Sequence, residues 1–179
     1  MAETMLRHRL GQRGIEAAVS SAGLVADGRG ASDEAVQVMA DLGTPILDHR
    51  SRLLSADLVA ASDLVLGMAR EHVREVALLV PTAYPRTFTL KELVRRGAEL
   101  GGRDDDESFA DWLARLHDGR SALLHLGTSP DDDVEDPIGR RPAVYERVAD
   151  ELSRLVDQFV DLGWGAEEAL DDPSELAAT

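Results

Sequence analysis

The strongest constraint on the fold is a set of apolar residues near the C-terminal end of the chain. Val144, Val148, Leu152, Leu155, Phe159 and Leu162 recur at intervals of three and four, which places them on one face of a helix. Pro142 stands where that helix would begin, its fixed φ suited to a first turn. So long an amphipathic helix needs an apolar surface to dock on, and the rest of the chain must supply it. Just ahead lies Asp131-Asp132-Asp133-Val134-Glu135-Asp136-Pro137-Ile138-Gly139. Pro137 biases Asp136 towards extended conformations, and the neighbouring carboxylates favour the protonated form of a carboxyl group. A positioned, protonated aspartate suits general-acid chemistry. Acidic runs more often simply repel and stay solvated, and spacing alone leaves both readings open.

The 179 residues are enough for one domain with a substantial core. A formal net charge of −15 repels phosphate backbones and anionic lipid, which argues against nucleic-acid binding and membrane docking. The chain has no cysteine, so it contains no disulfide, thiolate nucleophile or thiolate metal ligand. No stretch approaches the roughly 20 apolar residues of a membrane span. No signal-peptide pattern opens the sequence, and a cytoplasmic location is the expectation.

Local signals divide the chain into alternating elements. Residues 2–12 read as a helix closed by Gly11 or Gly14. Residues 15–20, apolar and partly β-branched, read as a buried strand ending at Ser21-Ala22-Gly23. A second helix spans 31–42, with Ser32 or Asp33 as cap and Gly43 as stop. A short helix at 54–61 is capped by Ser55, a second strand occupies 63–68, and a third helix covers 70–79. Strands alternating with helices favour a parallel α/β sheet. Thr89-Leu90-Lys91-Glu92 is a capping box opening a helix to about residue 100, and Ser108 opens another that ends at Gly119. Between them, 101–107 reads as a charged, mobile hinge. Residues 121–126 suggest a short strand, and 166–179 an acidic, flexible tail following a domain over 1–165.

The five histidines are scattered. His8 and His117 fall on helix surfaces and read as solvated residues. Metal-binding spacing of the His-Glu-x-x-His type is absent, so neither metal nor cofactor is expected. Asp48-His49-Arg50-Ser51-Arg52 is a polar loop of the kind found at strand ends, where α/β proteins bind ligands.

Taken in order, these pieces resemble the low-molecular-weight protein tyrosine phosphatase family. Met1-Ala2-Glu3 resembles the start of its first helix, and Val19-Ser20-Ser21-Ala22-Gly23 its Ser-Ala-Gly strand end. Asp48-His49-Arg50-Ser51-Arg52, with the strand at 63–68, is similar to its His-x-x-Arg loop and third strand. Asp136-Pro137 and the helix beyond are similar to its acid loop and last helix. The resemblance implies a three-layer α/β fold with a small parallel sheet flanked by helices. It also implies a phosphomonoester hydrolase acting on a phosphorylated protein or small phosphomonoester, with Asp136 as general acid and Ser21 supporting the phosphate loop.

The chain departs from the family in two places. Ile138 and Gly139 follow Asp136-Pro137 where the family usually carries aromatic residues, so a phosphotyrosine preference is not implied. The family's first, inner strand and its C-x-x-x-x-x-R loop precede the Met-Ala-Glu segment. That loop holds phosphate on backbone N–H groups and supplies the cysteine that becomes a cysteinyl phosphate. This chain begins at Met1 without it, so the expectation is an N-terminally truncated, inactive form of a longer parent whose start lies upstream. A lone general acid contributes ~10²–10⁴ in rate, far short of the up to about 10²¹ that phosphate-monoester hydrolysis demands. The alternatives are a non-catalytic phosphatase-like interaction module and, further off, an arsenate reductase on the same scaffold, which would also need cysteines.

Overall fold

A computed structural model describes residues 1–25 and 28–166. In chain order the helices are α1 (Ala2–Gln12), α2 (Asp33–Asp41), α3 (Ala56–Ala60), α4 (Arg70–Leu79), α5 (Leu90–Leu100), α6 (Phe109–His117) and α7 (Pro142–Trp164). Strand β1 (Val65–Gly67) precedes α4 and β2 (Thr87–Thr89) precedes α5. The expected tail at 166–179 lies, apart from Ala166, outside the described residues. Among the described residues, no helix is long and apolar enough to cross a membrane.

The sheet consists of β1 and β2 in parallel, with Val65 opposite Thr87 and Gly67 opposite Thr89. Successive strand residues point to opposite faces, and the two faces carry separate cores. Leu66 and Phe88 face a large core built from α1, α2, α5, α6 and α7. Val65 joins a smaller one with Val59 of α3, Val76 of α4 and Ala83. The architecture is therefore α/β, a small parallel sheet between two helical layers, as the resemblance implies.

Helix α7 organises the large core, packing on α1, α2 and α5. Its buried residues are Tyr145, Val148, Ala149, Leu152, Val156, Phe159, Val160 and Gly163. Val144, Leu155 and Leu162 are only partly buried, because helices flank α7 on more than one side and turn its buried face away from the periodic one. At its far end, Trp112 lies between Phe109 and Phe159.

Three expectations need correction. Residues 15–20 are neither a strand nor buried: Glu16, Ala17, Ala18 and Ser20 are exposed, and only Ile15 and Val19 lean on the core. A strand persists when its backbone groups find a ladder. Among the described residues, pairing here is confined to one parallel bridge, Gly23 to Leu53, just beyond the segment. Residues 121–126 contain a 3₁₀ turn, Ala122–His125, rather than a strand. The second strand is Thr87–Thr89 instead, where β-branched and aromatic residues lie fully buried. The 101–107 hinge is tied down rather than loose. Arg103 donates to the carbonyls of Leu162 and Gly163, each at 2.7 Å, and Arg115 reaches Gly102 O and Glu107.

Candidate active site

Two groups of polar residues form around the sheet, and each is set by a different end of the chain. The first lies at the start of α1. The Ser21 hydroxyl donates to Glu3, which also pairs with Arg7, and Arg52 Nε donates to Ser21 O at 2.8 Å. His49 Nδ1 stands 3.9 Å from Glu3. Burial works against the Glu3 carboxylate, but the Ser21, Arg7 and His49 contacts outweigh it and lower its pKa below the usual value. The structure thus gathers Ser21, His49 and Arg52, three residues distant in sequence, around Glu3. Backbone pairing draws the segments together: Gly23 N donates to Arg52 O at 2.8 Å and Leu54 N to Gly23 O at 2.9 Å.

The second group is the acid loop. Val134 N donates to Met68 O at 2.8 Å, which fastens the loop to the C-terminal end of β1, where ligand sites of α/β folds gather. Asp133 accepts from Arg70 N, the first residue of α4, and from Ser129 N, both at 2.8 Å. The β1–α4 corner beneath is tight. His72 Nδ1 accepts from Met68 N and Ala69 N, and a Cβ at Gly67 would stand 2.9 Å from His72 Cβ. Asp136 is exposed, and its Oδ1 accepts from Ile138 N at 3.0 Å, an Asx-type turn that Pro137 shapes. Among the described residues Asp136 has no hydrogen bond or ion pair to the Ser21 group. Its neighbours are not free charges either, since Asp132 pairs with Arg70 and Arg95, and Glu135 with Arg147.

A third constellation was not foreseen. Glu92 accepts from Arg120 at 2.8 and 2.9 Å and lies 3.1 Å from His125 Nε2. All three side chains are at most 5% exposed. Burial alone would raise the Glu92 pKa, but the bonds to His125 and Arg120 hold it down to about 2. Thr89 does cap α5 by accepting from Glu92 N at 3.0 Å. The other half of the expected capping box is missing because the Glu92 carboxylate turns inward to Arg120. His117, expected to be solvated, is partly buried, stacks edge-on to Tyr84 and accepts from Arg120 at 3.2 Å. Only the spacing Glu92, Arg120, His125 could have signalled the cluster, and three polar residues scattered over 34 positions carry no recognisable pattern.

A small parallel sheet between helical layers, with polar loops gathered at its strand ends, defines an α/β protein, and comparison narrows the class. The family model described as low molecular weight phosphotyrosine protein phosphatase matches residues 1–125. A probable low molecular weight protein-tyrosine-phosphatase of Ralstonia solanacearum is 34% identical over 125 residues, 69% of this chain and 83% of that protein. The protein-arginine-phosphatase of Bacillus subtilis is 27% identical over 160 residues, 89% of this chain and 84% of that protein. Among solved structures, the low molecular weight protein tyrosine phosphatase from T. tengcongensis superposes with a TM-score of 0.66 at 30% identity, covering 89% of this chain and 87% of that one. The chain belongs to the low molecular weight phosphotyrosine protein phosphatase family. It is a family of hydrolases, and a chain with no cysteine lacks its nucleophile.

Proposed function

We propose that this chain is the acid-loop-bearing part of a low-molecular-weight phosphatase and hydrolyses nothing by itself. The observation that carries the reading is the half-filled sheet. Among the described residues β1 is paired along one edge only, and 15–20 runs beside the core without a ladder. An inner strand leading into a C-x-x-x-x-x-R loop would use both. Ser21, held by Glu3 and Arg52, would then brace that loop. Asp136 would hand its proton to the leaving group while the thiolate takes the phosphoryl group as a cysteinyl phosphate.

The substrate class is a phosphorylated protein or a small phosphomonoester. Ile138 is 76% exposed beside the Asp-Pro turn and provides an aliphatic edge rather than an aromatic wall. This favours a leaving group other than a phenol. The similarity to an arginine phosphatase makes phosphoarginine in proteins the second substrate to test. The lack of cysteine also favours a non-catalytic interaction module, which predicts no turnover even when the family's strand and loop are joined to the chain.

The test joins the family's strand and C-x-x-x-x-x-R segment to Met1 and follows aryl phosphate hydrolysis. The 179 residues alone should show no turnover and the joined protein should show it. Asp136→Asn in the joined protein should lose ~10²–10⁴ in kcat on phenyl phosphate and much less on dinitrophenyl phosphate, whose leaving group needs no proton. Turnover by the 179 residues alone, or equal losses on both substrates, overturns the reading.

A further inference from the structure

Asp132 is the most deeply buried carboxylate of the acid loop, its side chain 5% exposed, and it lies four residues ahead of Asp136. Arg70 of α4 donates to its Oδ2 at 2.7 Å and Arg95 of α5 to its Oδ1 at 2.8 Å. Arg95 also reaches Asp131 O at 3.1 Å. One turn earlier on α5, Lys91 Nζ donates to Pro130 O at 3.1 Å and Asp133 O at 2.8 Å, while pairing with Glu151 of α7 at 2.7 Å. Three cations on two helices therefore grip the rising limb of the loop. The cations of α4 and α5 reach no further than Asp133, the exposed Glu135 pairs with Arg147 of α7, and among the described residues the Asp136 side chain has the Ile138 amide as its partner.

We infer that Asp132 is a positioning residue for Asp136, and that the α5–α6 unit, through Lys91 and Arg95, sets where the acid side chain stands. This rests on the reading of Asp136 as general acid for its purpose, though not for its test. A carboxylate bonded at both oxygens to two guanidinium groups is held in one orientation, since each bond is charge-assisted and the carboxylate itself is 5% exposed. The backbone on either side of it inherits that orientation. Without it, the loop keeps the Val134–Met68, Asp133–Arg70 and Lys91–Asp133 bonds and the exposed Glu135–Arg147 pair, and pivots about them. The unit spanning 89–119 therefore does more than cover the scaffold, because it carries two of the three cations that aim the proton donor.

The test uses the 179-residue chain and needs no catalysis. The Ile138 amide proton, donated to the Asp136 carboxylate, is the reporter in an NMR spectrum at neutral pH. Asp132→Asn keeps the shape and removes the charge, and Arg95→Met removes one cation at a surface-exposed position. In both variants the Ile138 amide should move towards its random-coil shift. Amide exchange over 134–139 should also rise at least about tenfold, with α1 and α7 amides unchanged. Should Asp132→Asn not fold, Arg95→Met decides alone. An unmoved Ile138 signal in the folded variants, or exchange rising equally throughout, overturns the assignment. Failure here leaves Asp136 as acid untouched, and failure of Asp136→Asn in the joined protein leaves the positioning result standing.

Discussion

Arg120→Met should be among the most destabilising single changes available in this chain. The Arg120 side chain is wholly buried and sits 3.9 Å over the Phe88 ring and 4.8 Å over Tyr84. It clasps both Glu92 oxygens and donates to Thr87 O at 2.7 Å. Removing it leaves the Glu92 carboxylate buried with His125 as its remaining partner. Stranding a buried charge costs about 3–5 kcal/mol. The sign agrees with the titration of Glu92: its bonds to His125 and Arg120 together lower its pKa to about 2, so the ionised carboxylate is stabilised at neutral pH. For a chain of this size about 1 kcal/mol moves Tm by roughly 2–4 °C, so the midpoint should fall by ~6–20 °C. Urea unfolding followed by Trp112 fluorescence, on Arg120→Met, Glu92→Met and the double variant, separates the terms. The double variant should recover part of the loss, because it no longer buries a lone charge. A loss below about 1 kcal/mol in Arg120→Met, or a double variant as unstable as the sum of the singles, would refute the account.

Acid should weaken the fold through the same cluster. Glu92 has a lower pKa folded than unfolded, so its contribution is complete above 4.5 and is lost as pH falls towards 2; urea midpoints taken across that range should decline, and Glu92→Gln should flatten the decline. His117 acts in the same direction at higher pH: burial, then Arg120 and Arg96, lowers its pKa from 6.5, so acidification through that value costs some stability. Gly102→Ala should destabilise by about 1–3 kcal/mol, since the added Cβ would stand 2.8 Å from the backbone oxygen of Leu162. A thermal melt showing no loss would mean that the α5–α6 connection yields more easily than its bonds to α7 suggest.

Helices were legible in the sequence wherever their ends carry local chemistry. Ser32, Ser55, Thr89 and Ser108 each cap the helix expected of them, accepting from a backbone N–H three residues on. Gly43 and Gly119 adopt the positive φ that stops α2 and α6. Strands were less legible, because a strand exists only when another segment pairs with it. Of Thr87-Phe88-Thr89 only Thr89 carried a local signal, as a helix cap, and 15–20 reads as a strand but has no ladder among the described residues. The site followed the same division. Asp136-Pro137 and Ser21 stand out by type and order, whereas the partners that hold them do not.

Taken alone, the sequence determines the helical framework, the family, the lack of a thiol nucleophile and the candidacy of Asp136. These follow from residue type and from spacing within one or two turns, which a linear reading contains. Tertiary structure alone decided that Glu92 abandons its capping role for Arg120, that Asp132 is buried between two helices, and that Ser21, His49 and Arg52 meet at Glu3. Each of those outcomes depends on which distant groups the packed chain brings within reach of a polar atom. A carboxylate withdrawn from water takes whichever cation the packed chain brings within reach.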